Sequence, residues 1–199
     1  MVSIILCNAF SLSFNFLLYC FNLYENKYNN TAFFPNFPFS SEGFLSYAEF
    51  QNKYKFCWNS FAIELSKNYS DAMQTDLNYI NNIEILFSQN ESGRNRFIEA
   101  KDSFMSWWYG KKSLGAQRTL GILTDNAIPE IWDTFKRNYS IIDLPSSIRY
   151  DIIFVFTDPP AGDFKLDSHR FHIQKVDERS FDYDRIAERM YNNLLDRGM

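Results

Sequence analysis

The stretch Arg149–Val176, RYDIIFVFTDPPAGDFKLDSHRFHIQKV, holds two strand-like runs on either side of an unmistakable loop. Ile152, Ile153, Phe154, Val155 and Phe156 form an unbroken β-branched and aromatic run of strand length, as in a strand covered on both faces. Asp158-Pro159-Pro160-Ala161-Gly162-Asp163 then removes two backbone donors in succession and supplies a glycine able to take positive φ, so regular structure stops there. From His169 to Val176, Phe171 and Ile173 alternate with Arg170, His172 and Gln174, the pattern of a strand with one wetter face. The two runs predict a β-hairpin with a connection of about a dozen residues, and connections of that length are often functional.

Outward from this hairpin the chain reads as helix. Ser180 or Asp182 opens a last helix with Ile186, Ala187, Met190, Tyr191, Leu194 and Leu195 on one face and Gly198 beyond its end. Upstream, Pro129 starts a helix carrying Ile131, Trp132 and Phe135 to Asn138, while Gly115 and Gly121 weaken the pattern before it. Three amphipathic helices come earlier. The first follows the capping-box pattern Ser46-Tyr47-Ala48-Glu49 and carries Phe50, Tyr54, Cys57, Trp58, Phe61, Ala62 and Leu65, ending near Lys67. The second, capped by Ser70 or Asp71, carries Met73, Leu77, Ile80, Ile83 and Phe87, and the loop Gln89–Gly93 ends it. The third runs from about Arg94 to Tyr109, with Phe97, Ile98, Phe104, Met105 and Trp108 inward and Gly110 as its stop. Short turns between them suggest an antiparallel bundle.

Residues 1–24 carry no charged side chain, and Ile4–Phe21 has about the length of a membrane span. Asn8, Ser11, Ser13, Asn15 and Asn22 interrupt that run, and no Lys or Arg precedes it. A buried soluble element is the leading reading, with a membrane helix and a secretory signal behind it. Alternation of Phe10, Leu12, Phe14 and Phe16 favours a strand, and the stripe Asn8, Ser11, Asn15 and Asn22 favours a helix. Tyr24–Ser41 places Phe33, Phe34, Phe37 and Phe39 around Pro35 and Pro38, which predicts an extended segment pinned in a groove or an arm docking on another subunit. The expected fold is therefore one α+β domain, mainly helical, with antiparallel helices and a C-terminal β-hairpin followed by a terminal helix. Its parts are an aromatic-rich segment and arm (1–41), a helical part (42–140), and the hairpin plus helix (141–199).

At 199 residues one core suffices, and 21 Phe and 12 Tyr bring far more apolar surface than a disordered chain carries. A net charge of −4 argues against direct nucleic-acid binding, which needs a surplus of Lys and Arg. Cys7, Cys20 and Cys57 are odd in number and lack metal-ligand spacing, as expected of reduced structural thiols in a reducing, cytoplasmic setting.

Two short patterns bear on chemistry. A strand followed by Asp158-Pro159-Pro160 resembles the Asp/Asn-Pro-Pro-aromatic motif of amino-group DNA and RNA methyltransferases, with Ala161 where that family has its aromatic. Asp151 followed by Asp163-Phe164-Lys165 resembles the Asp…(Asp/Glu)-x-Lys signature of restriction-endonuclease-like nucleases, with Tyr150 at the usual proline. That resemblance implies Mg²⁺ held by Asp151 and Asp163, with Lys165 steadying the attacking water. His169 and His172, three apart on a strand, point to opposite faces and do not suggest a shared metal. Trp107-Trp108-Tyr109-Gly110-Lys111-Lys112 mixes rings and charge at a helix end.

No complete catalytic constellation emerges. The reading that follows is a non-enzymatic interaction component without a cofactor: an acidic, immunity-type inhibitor of a basic protein, or a small subunit of a larger assembly. Contact is expected at Asp158, Asp163 and Asp167, with Trp107, Lys111 and Lys112 as a second patch. The alternatives are a subunit tethered to a membrane through residues 4–21 and a Mg²⁺-dependent nuclease using Asp151, Asp163 and Lys165.

Overall fold

In a computed structural model, which describes residues 4–25, 43–67, 71–110, 115–139, 147–176 and 181–196, the uncharged N-terminal run divides in two. Ile4–Ala9 is strand β1 and Leu12–Glu25 is helix α1, so the alternation of Leu12, Phe14 and Phe16 that favoured a strand falls in a helix, and the strand lies just before it. No helix among the described residues is long and apolar enough to cross a membrane. The fold is α+β and mainly helical. Its chain separates into two compact units, one of Met1–Phe10, Thr119–Phe156 and Leu166–Met199, the other of Ser11–Arg118 and Thr157–Lys165.

The second unit is helical and is built around α1. Every residue from Ser11 to Cys20 is buried, as expected of a helix that is apolar all round. Phe14 packs against Trp58 and Phe61, Phe16 against Phe97 and Phe104, and Tyr24 stacks on Phe50 at 3.9 Å between ring centroids. The polar residues that broke the apolar run hold the start of this helix. Ser11 Oγ donates to Asp76 Oδ1 (2.9 Å), Ser13 Oγ to the Asp76 carbonyl (2.6 Å), and Asn15 Nδ2 to the Ser11 carbonyl (2.8 Å).

Around α1 lie α2 (Tyr47–Lys67), α3 (Ala72–Tyr79), a 3₁₀ segment (Ile80–Leu86) and α4 (Glu91–Tyr109). Helix α2 buries the stripe Phe50, Tyr54, Cys57, Trp58, Phe61, Ala62 and Leu65 read from the sequence. Its successor departs from expectation. Asn81, Asn82 and the isoleucines are weak α-formers, and the chain tightens to three residues per turn, which places Ile80, Ile83 and Leu86 on one buried line. Met73, expected inward, is 79% exposed, because Thr75 and Tyr79 take the inner face of α3. In α4 the expected inward Ile98 is also exposed, leaving Phe97, Ala100, Phe104 and Trp108 as the buried stripe. This helix starts inside the expected loop, capped by Asn90 accepting from Gly93 N (2.8 Å), and ends on Gly110 at φ 64°.

The first unit carries a four-stranded sheet in the order β1-β2-β4-β3, with β2 Ile148–Val155, β3 Asp167–Ser168 and β4 Phe171–Lys175. The two runs that decided the fold are neighbours, and β2 is buried on both faces, but their pairing is parallel, not the antiparallel pairing of a long hairpin. Residues 156–170 are long enough to cross over, which a parallel pair requires. The antiparallel hairpin is the smaller one, β3 with β4, and it precedes the terminal helix α7 (Tyr183–Leu195). Strand β1 pairs parallel to β2, and Asn8 Nδ2 donates to Thr124 Oγ1 (3.0 Å) just beyond α5 (Ala116–Leu123). Helix α6 (Ala127–Asn138) packs on α7 and β1, and α7 packs on β4. The aromatic arm after Glu25, Lys111 and Lys112 lie outside the described residues.

Candidate functional site

Three polar arrangements stand out, and local structure explains each. The first, in the sheet unit, centres on Asp167 and His172, which the β3–β4 turn sets side by side. His172, 1% exposed, has Nδ1 2.5 Å from Asp167 Oδ1 and Nε2 3.2 Å from Gln174 Oε1. Gln174 Nε2 donates to the Lys175 carbonyl (2.8 Å). Helix α7 adds Asn193, whose Nδ2 donates to Tyr150 Oη (2.6 Å) and Asp167 Oδ1 (3.4 Å), and Arg189, 3.9 Å from Asp167 Oδ2. Burial works to raise the Asp167 carboxyl. Hydrogen bonds from His172 and Asn193, with the charges of His172 and Arg189, outweigh it and hold the group below the usual carboxylate range. Burial pushes the Tyr150 phenol well up.

The imidazole is closed off from solvent and both of its nitrogens are engaged. Ser168 Oγ, the adjacent hydroxyl, accepts from Arg170 N (3.0 Å) and Phe171 N (3.2 Å) within the turn. The cluster is therefore a polar bolt joining β2, the β3–β4 hairpin and α7. Tyr150, Gln174, Arg189 and Asn193 were not legible as partners. Only the i, i+4 spacing of Arg189 and Asn193 hinted that they share a face.

The second arrangement fixes the 157–165 loop to α2. Trp58 Nε1 donates to the Lys165 carbonyl (3.0 Å), Asn59 Oδ1 accepts from Lys165 N (2.8 Å), and Asn59 Nδ2 donates to the Asp163 carbonyl (3.3 Å). The Phe164 ring stands edge-on to Tyr54 and Trp58 at 5.8 and 5.7 Å. Gly162 at φ 142° brings the chain round, and a Cβ there would meet that ring at 3.3 Å. Asp158 and Asp163 are exposed as expected, and Lys55 Nζ lies 3.4 Å from Asp163 Oδ2.

The third is the start of α1, where Asp76 accepts from Leu12 N (2.7 Å), Ser13 N (2.8 Å) and Ser11 Oγ. A helix start attracts an anion, and here the chain supplies its own. Burial pushes the Asp76 carboxyl up, against the pull of those hydrogen bonds.

The remaining expectations separate. Asp151 is buried in β2, paired with Arg149 (Nε 3.0 Å, Nη2 3.4 Å), whereas Asp163 and Lys165 belong to the helical unit. Neither unit by itself holds the nuclease-like triad, and among the described residues no group of three or more His, Cys, Asp or Glu is placed to hold a metal ion. Asp167 sits in the polar bolt of the sheet unit, whereas Asp158 and Asp163 belong to the loop of the helical unit. Trp107 is half-buried against Phe104 and Trp108. No family model matches this chain, and no curated protein or solved structure is significantly similar to it.

Proposed function

We propose that the protein is a non-enzymatic interaction component whose contact face in the helical unit is the outer stripe of α2 with the 157–165 loop fixed beside it. Phe56 carries this reading. It is 62% exposed on a helix whose opposite stripe is fully buried, it shares its outward face with Ile63 at 41%, and it adjoins Lys55, which reaches Asp163. A large apolar ring left in water beside a pre-ordered polar rim is the arrangement of an interface anchor, because association then orders little that was mobile. The loop contributes Asp158 and Asp163 but also Lys165, and Lys55 stands opposite, so its charge is close to balanced. Specificity then rests on the ring and the hydrogen-bonding edge of the loop, with charge acting at the rim. The test is quantitative affinity capture from the native source with the full chain and with Phe56→Glu. A partner retained by the wild type and lost by the variant supports the reading, and identical partner sets with equal recovery overturn it.

A further inference from the structure

The sheet unit carries a second surface with a different chemistry. Asp184, Glu188, Tyr191 and Leu195 recur at i, i+4, i+7 and i+11 along α7, flanking the buried stripe of Ile186, Ala187, Met190 and Leu194, and so form one line at its edge. Tyr139, at the end of α6, stacks on Tyr191 with ring centroids 4.6 Å apart and planes at 21°. Both rings are half-buried, so each keeps part of its surface in water. Asp184 Oδ1 accepts from Asn138 Nδ2 (2.8 Å), which ties that carboxylate to the residue before Tyr139.

Glu188 stands one turn before Tyr191 and Asp184 is tied to Asn138, so both carboxylates lie beside the ring pair, and burial together with their charges raises the Tyr139 phenol. Among the described residues, two of the cations near this face are turned to other partners. Lys136 pairs with Asp133 (2.8 Å) and lies over Trp132, and Arg189 turns to Asp167. Arg185 stands three residues before Glu188, at the edge of the line and not on it. The result is an electron-rich ring pair rimmed by two carboxylates, with an exposed leucine at one end.

We propose that this α6–α7 face receives an arginine side chain of a partner protein. The guanidinium would lie on the exposed ring surface of Tyr139 and Tyr191 and pair with Glu188 and Asp184, and the aliphatic stem of the arginine would run toward Leu195. Arginine fits better than lysine because its planar, weakly hydrated head stacks on rings while it offers parallel donors to a carboxylate. The inference stands on residues apart from Phe56 and survives if the α2 reading fails.

The probe is a blocked peptide alternating arginine and glycine, titrated into the full-length protein by calorimetry and by tyrosine fluorescence. Its citrulline counterpart, which keeps shape and loses charge, is the control. The arginine peptide binds and perturbs tyrosine emission, and the citrulline peptide does neither. Glu188→Gln weakens binding about threefold to tenfold, and Tyr191→Leu does so without changing net charge. Tyr191→Phe keeps the ring and retains wild-type binding, which separates recognition from a folding defect. Absence of binding, or equal binding by wild type, Glu188→Gln and Tyr191→Leu, overturns the proposal.

Discussion

Replacing Asp76 by alanine tests why an apolar N-terminal run folds as a buried helix inside the helical unit. The carboxylate accepts from Leu12 N, Ser13 N and Ser11 Oγ at 2.7, 2.8 and 2.9 Å, all at the first turn of α1. Losing a helix cap costs about 0.5–2 kcal/mol. Leu12 and Ser13 are buried, and each backbone N–H deprived of its acceptor there adds about 1–3 kcal/mol, less whatever an entering water or the Ser11 hydroxyl restores. The expected loss is about 3–5 kcal/mol, a large part of the roughly 5–15 kcal/mol that holds a domain together. In urea, with a slope of about 2–3 kcal/mol per molar for a chain of this size, the midpoint falls by about 1–2.5 M. Asp71, just before α3, makes no side-chain capping bond and serves as the control, its alanine variant staying within about 0.5 kcal/mol of wild type. Equal midpoints for Asp76→Ala and wild type would refute the argument, since the start of α1 would then need no acceptor from α3.

Asn59→Ala removes two of the three side-chain hydrogen bonds that tie α2 to the loop backbone and leaves that of Trp58; amide exchange at residues 163–165 rises by about tenfold, while α2 itself keeps its protection. Because the Asp167 carboxyl is depressed in the fold, its contribution is present above the ordinary carboxylate pKa of about 3.9 and is lost as pH falls through the lower folded value. Melting curves of wild type and Asp167→Asn therefore differ at about pH 6 and converge toward about pH 2, and a gap that stays constant contradicts this. The Cys57 thiol is pushed up to about 12 by burial and Cys20 is raised well above its ordinary value, whereas Cys7 is only half-buried and less shifted. A thiol reagent near neutral pH labels Cys7 alone in the native protein and all three after unfolding, as peptide mapping can establish.

Periodicity carried the sequence reading furthest where one face is buried and the other wet. Helix α2, the start of α7 and the strand Ile152–Val155 follow their apolar spacing closely. The pattern misled where two geometries share a spacing: Ile80, Ile83 and Leu86 suit a helix face as well as a three-residue turn, and the paired asparagines tipped the balance. Strand direction was invisible for a different reason. A loop of fifteen residues permits either a wide hairpin or a crossover, and its own sequence does not distinguish them. Its docking on Trp58 and Asn59, about a hundred positions earlier, was equally invisible. Asp167 and His172 could be seen as neighbours, but Asn193 and Arg189 reach them only once α7 packs on β4. Nothing local marked Asp76 either, since its partners lie sixty-odd residues away in the N-terminal run.

The central claim is that the outer stripe of α2 and the loop fixed beside it form an interface. Hydrogen exchange of the full chain, alone and with the partner that it captures from its native source, tests it most directly. The account predicts added protection in peptides covering residues 52–63 and 157–165, and protection confined to other parts of the chain would contradict it.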